Sequence, residues 1–580
     1  MLKDCLEVFK RELNAKGEKL ITDTYVPKDG TYIIVAPTND AYEIKEIVQI
    51  KQDKKAKGID KSHSYYSYIC ERDYNSKLVE MNKPIDGKKV IHSNNYLSFF
   101  IKKENLASGK LTDEIIDNYY NVLSNPYLKY TKENAKEIYK SLEEDVGQVD
   151  ISLLENIKTW IKNNIFKLDE EIISGKDYLK IFFDYPIEDY KREGKRYLIP
   201  NIYNNNDFNI KIDNTIYGLP NDNMGLNAKK PYLENKTRNE KVPYLINNDE
   251  VLLQGKFFDY LLNLASIGKV NIYIKDEIKG YNNGEFPDKD FQGIFLRLKK
   301  GKEVEIHDYD VITEFKTLLS KKFHFKNILE LDLSSKNVSV ENYGFISTVK
   351  DMQDIINIVF FSKYLINNYF TEASDMSFNE SYIKNNLLLS RETLFNWLYK
   401  GIDNGVEAVL NKISLNLIKG SVNNGYLNKA CHQFNLRWSL NNYFKGGKDM
   451  ADIVYNIKNS LREKINSSIT DKFENDEEFY FAVGQSVGFL LSKSRGKKKP
   501  HSLVNPFINA KDNDVIKANL IKLFKKYSFD ESVNSKRFNN MYAMILGYEP
   551  EDKVNQDIIL AGYLSNNLVY ESNKEEKNHE

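Results

Sequence analysis

The chain has 580 residues, of which 83 are lysine or arginine and 83 are aspartate or glutamate, so its formal net charge is zero. This balance excludes a uniformly basic protein of the histone or ribosomal type, so any nucleic-acid site must be a local patch. The hydrophobic fraction of 41% excludes a disordered chain. The length predicts about two to four domains.

The cysteines and the hydropathy pattern limit the cellular compartments in which the protein is expected. Cys5, Cys70 and Cys431 are far apart and form no CxxC pair, which excludes a disulfide framework and a zinc ribbon. The longest stretch without a charge, Phe479 to Ser492, is shorter than the roughly 18 to 20 apolar residues of a membrane span. The first residues contain no apolar signal core. We therefore expect a cytoplasmic protein with no membrane partner, no metal and no cofactor.

The first 345 residues have a mixed α/β pattern. An amphipathic helix over residues 1–20 is followed by strands, and long loops rich in Asn, Gly and Pro occupy 200–243. The predicted strands are Tyr32–Val35, Ile44–Ile50, Lys269–Ile274 and Gly293–Leu298. This pattern predicts a β scaffold that carries long functional loops.

Beyond Asp351 the pattern is helical to the end of the chain. Apolar stripes predict helices over 355–370, 382–399 and 406–418, and then near 476–494, 514–527, 534–547 and 555–570. Asp449 is a suitable N-cap for a further helix that begins at Met450. We therefore predict an α+β protein with three parts: a mixed α/β region over 1–345, a helical connection over 346–449 and a helix bundle over 450–580.

Catalytic motifs are absent from the sequence. It contains no GxxxxGK[ST] phosphate loop, no GxGxxG turn and no HExxH zinc helix. His307 and Asp308, with Asp310, are typical of a metal-binding His-Asp pair, but a two-metal centre needs several more converging ligands. We interpret the pair as part of a surface turn and expect no catalysis, with a metal-dependent nuclease as the alternative.

The loop over 226–241 is a candidate nucleic-acid contact. It contains five basic and two acidic residues, a net charge of +3, with asparagines between them. Lysine and arginine neutralise phosphates, and amide side chains donate to and accept from base edges. A solvated charged loop is the alternative. The predicted DNA-binding residues are Asn223, Asn227, Lys229, Lys230, Lys236 and Arg238.

A second basic patch follows the predicted helix near 476–494. Residues 484–527 contain ten basic and two acidic residues, a net charge of +8 in a chain whose total is zero. Such a field can hold a phosphate backbone, although a solubilising loop is the alternative. The predicted single-strand or backbone contacts are Lys493, Arg495, Lys497, Lys498, Lys499 and Lys511.

Four segments resemble one known family. They are HSNNYLSFFIKKENL at 92–106, GLNAKKPYLENKTRNEKVPYLI at 225–246, FAVGQSVGFLLSKSR with HSLVNPFINAK over 481–511, and DIILAGYLSNNLVY at 557–570. In this order and spacing the sequence resembles the large subunit of type I-B CRISPR interference (Cascade) complexes, the Csh-type family. The resemblance extends over nearly the whole chain.

The resemblance implies a non-catalytic recognition subunit of an antiviral surveillance complex. Its α/β region would lie near the 5′ end of the guide CRISPR RNA and recognise the motif that flanks a double-stranded DNA target. Its partners would be other Cascade subunits and a separate helicase-nuclease that degrades the target. Some relatives carry a cysteine zinc element that this chain lacks, so no metal is implied. A purely structural interaction protein, which would bind no nucleic acid, is the other alternative.

Met450 is a candidate internal translation start. Lys445 to Met450 can be encoded as AAA GGA GGN AAR GAY AUG, which places the ribosome-binding sequence GGAGG seven nucleotides before AUG. A flexible Gly-Gly turn before an N-cap is the alternative. Type I-B complexes, which the chain resembles, use a separately translated small subunit that matches the carboxyl end of the large one. Initiation at Met450 would produce such a subunit, 131 residues long.

Overall fold

The computed structural model describes residues 1–39, 41–53, 58–203, 206, 209–213, 215–220, 245–301, 303–333, 343–446, 450–468, 471–496 and 501–571. These residues form two compact units. Unit 1 comprises Met1–Phe286 and Gly293–Val311, and unit 2 comprises Pro287–Gln292 and Ile312–Glu580. Strands concentrate in the amino-terminal part and helices follow to the end, which confirms the α+β prediction. The predicted parts 346–449 and 450–580 both fall within unit 2.

Unit 1 combines ten helices of the described residues with two larger sheets and two small ones. The helices are α1 (Leu2–Lys16), α2 (Lys19–Thr22), α3 (Tyr66–Ser76), α4 (Lys103–Ala107), α5 (Asp113–Ser124), α6 (Glu133–Val146), α7 (Ile151–Asn164), α8 (Glu170–Ile173), α9 (Ile187–Asn201) and α10 (Asn248–Ser266). The small sheets pair β3 (Gln52–Asp53) with β4 (Gly58–Ile59), and join β7 (Ile210–Ile212), β8 (Thr215–Gly218) and β9 (Ile246–Asn247).

The first larger sheet has the strand order β2-β1-β6-β5. Its strands are β1 (Gly30–Pro37), β2 (Tyr42–Ile50), β5 (Ser98–Lys102) and β6 (Tyr178–Phe183). The central strands β1 and β6 run parallel, and the outer strands pair with them in the antiparallel sense. Residues 32–35 of β1 are fully buried, as expected for a central strand that is covered on both faces.

A buried ion pair lies inside this sheet. Lys180 on β6 is 4% exposed, and its Nζ donates to Asp73 Oδ1 on α3 at 2.5 Å. The ammonium also lies over the rings of Phe100 and Tyr32, at 4.5 and 5.4 Å from their centroids. Because Tyr25 Oη donates to the second carboxylate oxygen of Asp73, the pair has the additional hydrogen bond that a buried charge requires.

The segment HSNNYLS at 92–98 forms the turn that leads into β5. Asn95 Oδ1 accepts the Leu97 N–H at 3.0 Å, and Asn95 Nδ2 donates to the carbonyl of Tyr190 at 2.9 Å. His92 Nδ1 lies 3.1 Å from Tyr178 Oη, and burial lowers the pKa of His92 below its usual value. These contacts give this segment a structural role in the sheet.

The second larger sheet has the order β11-β10-β12-β13. Its strands are β10 (Lys269–Ile274), β11 (Ile278–Asn282), β12 (Phe291–Lys300) and β13 (Val304–Phe315). Ile272 and Leu296 of this sheet share a core with Phe9 of α1 and Phe257 of α10. The predicted strands 269–274 and 293–298 are therefore confirmed.

Unit 2 is helical after one two-stranded sheet of β14 (Leu318–Phe325) and β15 (Gly344–Thr348). A π-helical segment over Ile356–Phe360 continues α11. Among the described residues, no helix of either unit is long and apolar enough to cross a membrane. The helices are α11 (Val349–Ile355), α12 (Leu365–Asn368), α13 (Ser381–Lys400), α14 (Val406–Asn423), α15 (Leu427–Lys445), α16 (Met450–Asn466), α17 (Asp476–Ser492), α18 (Asn505–Ile508), α19 (Asn513–Tyr527), α20 (Lys536–Gly547) and α21 (Gln556–Leu564).

One hydrophobic core extends across both predicted helical parts of unit 2. Ile418, Val422 and Phe434 belong to the same buried cluster as the apolar residues of α16 to α21. Polar contacts also join the two predicted parts. Arg437 donates to both carboxylate oxygens of Asp557, at 2.9 and 3.0 Å. The bundle over 450–580 is therefore stabilised by residues that precede it in the chain.

Helices α17 and α21 approach each other at two glycines. A Cβ at Gly484 would overlap the carbonyl oxygen of Ile559, and a Cβ at Gly562 would overlap the carbonyl oxygen of Phe481. Only glycine permits backbones to come so close. Gly488, one turn further along α17, has more room, since a Cβ there would have its nearest neighbour at 3.6 Å.

We predict opposite effects for two alanine substitutions on α17. Gly484→Ala forces the two backbones apart and should lower the free energy of unfolding by about 1–3 kcal/mol. Gly488→Ala fits the available space and should raise it by about 0.5–1 kcal/mol, because alanine is the better helix former. Urea denaturation of both variants measures the difference, and equal effects would contradict the close contact.

Candidate nucleic-acid interface

Helix α17 positions the second basic patch. Asn475 caps its first turn by accepting the Glu478 N–H at 2.9 Å, and the predicted apolar stripe from Phe479 to Leu491 is buried, as expected. The helix ends at Ser492, and Lys493 and Arg495 follow directly. Because α17 is the most enclosed helix of the bundle core, its end presents these two cations from a fixed support.

Gln485, in the middle of α17, fixes the chain that follows α21. Its amide nitrogen donates to the carbonyl of Gly562 at 2.5 Å, and its Oε1 accepts the Leu568 N–H at 2.8 Å. Asn567 donates in turn to the Gln485 carbonyl at 2.8 Å. This fully buried amide thereby holds the short 3₁₀ turn Leu568–Tyr570 against α17.

Lys493 lies over two aromatic rings. Its Nζ is 4.3 Å from the ring centroid of Phe489 and 4.9 Å from that of Tyr570. Tyr570 Oη lies 2.6 Å from Ser492 Oγ, whose own proton goes to the carbonyl of Phe489. The Tyr570 hydroxyl is therefore the donor to Ser492, and its ring is held next to Lys493 while 55% exposed.

Arg495 forms a second pair of the same kind. Its guanidinium carbon is 4.5 Å from the ring centroid of Phe529, which follows α19 and is 49% exposed. Sequence analysis missed both Phe529 and Tyr570, because they lie far along the chain from the cations and share no helical spacing with them. In the sequence each is only an aromatic residue next to a predicted helix end, which is a weak signal.

Asp530 is the acidic neighbour of these cations. Hydrogen bonds from Ser532, followed by the charges of Lys493 and Arg495, lower the pKa of Asp530, so it is ionised at neutral pH. The carboxylate accepts the Ser532 N–H at 3.0 Å, and within the described part of the chain neither Lys493 nor Arg495 forms an ion pair. Lys493, Arg495 and Asp530 together therefore carry a net positive charge, and both cations can bind a phosphate.

Lys511 does not join this group. It precedes α19, whose first residue Asn513 accepts a hydrogen bond from Tyr480 near the start of α17. Tyr480 and Lys493 are separated by about 20 Å at 1.5 Å per helical residue. The structure therefore places Lys511 at the opposite end of α17 from Lys493 and Arg495.

The other described cations of the patch differ in their surroundings. Lys517 is 2.6 Å from Glu549 and is compensated by it. Lys522, Lys525 and Lys526 are exposed on α19 and form no ion pair with the described residues. The two lysines at 525 and 526 lie in the last turn of α19, which is the end that leads to Phe529.

Several predicted residues lie outside the described part of the chain. The entire predicted DNA-binding loop belongs to this set, and so does the predicted N-cap Asp449. Helix α16 has its first residue at Met450, as the sequence predicts. The predicted contacts outside the described residues are Asn223, Asn227, Lys229, Lys230, Lys236, Arg238, Lys497, Lys498 and Lys499.

His307 and Asp308 lie in the middle of strand β13, so their interpretation as a surface turn is wrong. His307 Nε2 lies 3.7 Å from a carboxylate oxygen of Glu305. Burial lowers the pKa of His307, which makes the imidazole neutral at pH 7. Among the described residues, no group of three or more His, Cys, Asp or Glu side chains could hold a metal ion.

Comparisons with family models, curated proteins and solved structures give no match to this chain.

We predict that Lys493 and Arg495 contribute directly to single-strand binding. The double substitution Lys493→Gln with Arg495→Gln should flatten the dependence of log K on log salt by about 1.4, since each phosphate contact on a single strand contributes about 0.7. A matched control, Lys511→Gln with Lys553→Gln, removes the same charge from exposed positions at the other end of the bundle. Equal slopes for the two double variants would contradict the assignment.

Proposed function

We propose that this chain is the large subunit of a type I-B CRISPR RNA-guided surveillance complex. It would anchor the 5′ end of the guide RNA, recognise the motif flanking a double-stranded DNA target, promote opening of that DNA and support recruitment of a helicase-nuclease. The chain itself would contribute binding, with no chemical step. The observation that carries the proposal is the pair of cations at the end of α17, which form no ion pair with the described residues, in a chain of zero net charge.

The family resemblance supports this proposal, because two of the resembling segments pack against each other. The segment FAVGQSVGF contains Gly484 and Gln485, and the segment DIILAGYLSNN contains Gly562 and Asn567. These residues form the glycine contact and the amide network between α17 and α21. The resembling segments are thus neighbours in the fold, which is expected if the resemblance reflects a shared bundle.

The two predicted nucleic-acid sites have separate roles in this proposal. The loop with Asn223, Asn227 and Arg238 would contact the duplex that flanks the target, with cations on phosphates and amides near base edges. The end of α17 would hold the strand that is displaced when the guide pairs with its target. Pairing with guide RNA exchanges one duplex for another of similar stability, so a contact to the displaced strand favours opening.

We expect a small RNA to accompany the protein. Purified under native conditions from its host, the full chain should bring down a guide RNA and other Cascade subunits. Sequencing of that RNA should show a constant segment joined to variable spacers. A preparation that contains no RNA, or that cleaves DNA by itself in the presence of magnesium, would contradict the proposal.

Met450 should initiate a second product in the same host. Replacing it with Leu encoded by CUA, with full-length expression maintained, should remove a band of about 15 kDa that the parent gene produces. The short product lacks Arg437 and Phe434, so Asp557 would lose its ion pair and an apolar face would be uncovered. We therefore expect it to be found in assemblies. Persistence of the band in the variant, or its absence from the parent, would exclude internal initiation.

A further inference from the structure

Two exposed rings and two cations form a single surface feature at the end of α17, which we call the aromatic cluster: Lys493, Arg495, Phe529 and Tyr570. Each ring has a cation 4.5 to 4.9 Å from its centroid. Phe529 is 49% exposed and Tyr570 is 55% exposed. Aromatic rings of this size are normally buried for their hydrophobic area, so two of them exposed next to cations that form no ion pair with the described residues are typical of a binding surface.

The chemistry of the cluster fits an unpaired nucleic-acid strand. Such a strand offers anionic phosphates and flat bases. The cluster offers two cations that can bind the phosphates and two rings that can stack on the bases. Bases stack on aromatic rings and on the plane of an arginine, and this contact is available for every base. In a duplex the base faces are already stacked on one another, so the rings would have nothing to contact.

We propose that Phe529 and Tyr570 are stacking platforms for bases of a single strand, while Lys493 and Arg495 hold its phosphates. The inference deepens the proposed function and depends on it for the source of the strand, the displaced strand of an opened target. About half of each of these two side chains is exposed, which leaves ring surface for a base. The site would bind with little sequence preference, because stacking and phosphate contacts are available for every base.

The architecture behind the rings supports this role. Phe489 lies between Tyr570 and Phe538, with ring centroids 5.3 and 4.7 Å away, and Phe538 is fully buried. Tyr570 is further fixed by its hydroxyl contact to Ser492 and by the turn that Gln485 holds. A ring that is already immobilised loses little conformational entropy when a base stacks on it.

The test uses the full chain and fluorescently labelled 20-nucleotide strands. One strand is oligothymidine, and the second has the same backbone with abasic sites in place of the bases. The variant Phe529→Leu with Tyr570→Leu removes both rings and keeps apolar side chains. The control Phe345→Leu removes a ring that is 74% exposed elsewhere in unit 2 and that lies against His324.

We expect the double leucine variant to bind oligothymidine at least about thirtyfold more weakly, at an unchanged salt slope. It should bind the abasic strand as the parent does, because no base is present to stack. Phe345→Leu should change neither affinity. A 2-aminopurine base in the strand should lose fluorescence on binding to the parent chain, a direct readout of stacking that requires no substitution.

Equal losses on the two strands, or no loss on either, would overturn the stacking role. If the glutamine variants of Lys493 and Arg495 weaken binding while the ring variant does not, the strand is bound by charge alone and the stacking inference is wrong. If the parent binds neither strand, the inference and the proposed single-strand role fall together. If stacking holds but the purified protein carries no guide RNA, the large-subunit proposal falls alone.

Discussion

The close contact between α17 and α21 determines the arrangement of unit 2. Gly484 and Gly562 bring the two backbones to a separation that no side chain larger than hydrogen permits. At this distance Gln485 can reach the carbonyl of Gly562 and the N–H of Leu568, and it is fully buried with both its amide groups bonded. A buried amide in this state specifies one register between the helices, because a shift of one residue would leave its polar atoms without partners.

The surface cluster follows from that register. Gln485 forms hydrogen bonds with Asn567 and Leu568. Because Tyr570 follows these residues closely, it lies at the end of α17, where Lys493 is over its ring. Phe529 reaches the same end because α17 and α19 run in the same direction, starting from the contact between Tyr480 and Asn513. A site on the surface is thus assembled from three chain segments whose positions are set in the core.

Local pattern was sufficient to predict several helices of unit 2 and several strands of unit 1, but it could not predict which elements are neighbours in the fold. The stripe from Phe479 to Leu491 and the alternation at 269–274 were readable because burial repeats at the period of the element. The expected continuous helix over 355–370 is wrong: Ser362 and Lys363 have positive φ, and Asn357 Oδ1 accepts the Leu365 N–H instead. Likewise, charge counting grouped Lys511 with Lys493, whereas the parallel course of two helices separates them. A side chain that replaces a backbone hydrogen bond, and the direction in which two distant helices run, do not change the periodicity of a sequence and so cannot be predicted from it.

The strength of the aromatic cluster indicates when it can act. A base stacked on a protein ring contributes about 1–3 kcal/mol, and part of this is offset by the entropy lost when a free strand associates. Asp530 next to the cations reduces their attraction for phosphate. A free strand would therefore be held weakly. A strand tethered to DNA that is already bound elsewhere on the complex has an effective concentration in the millimolar range, which is enough to occupy such a site. In the proposed function the cluster would therefore retain a strand after opening, and its weakness would keep it from capturing unrelated single strands.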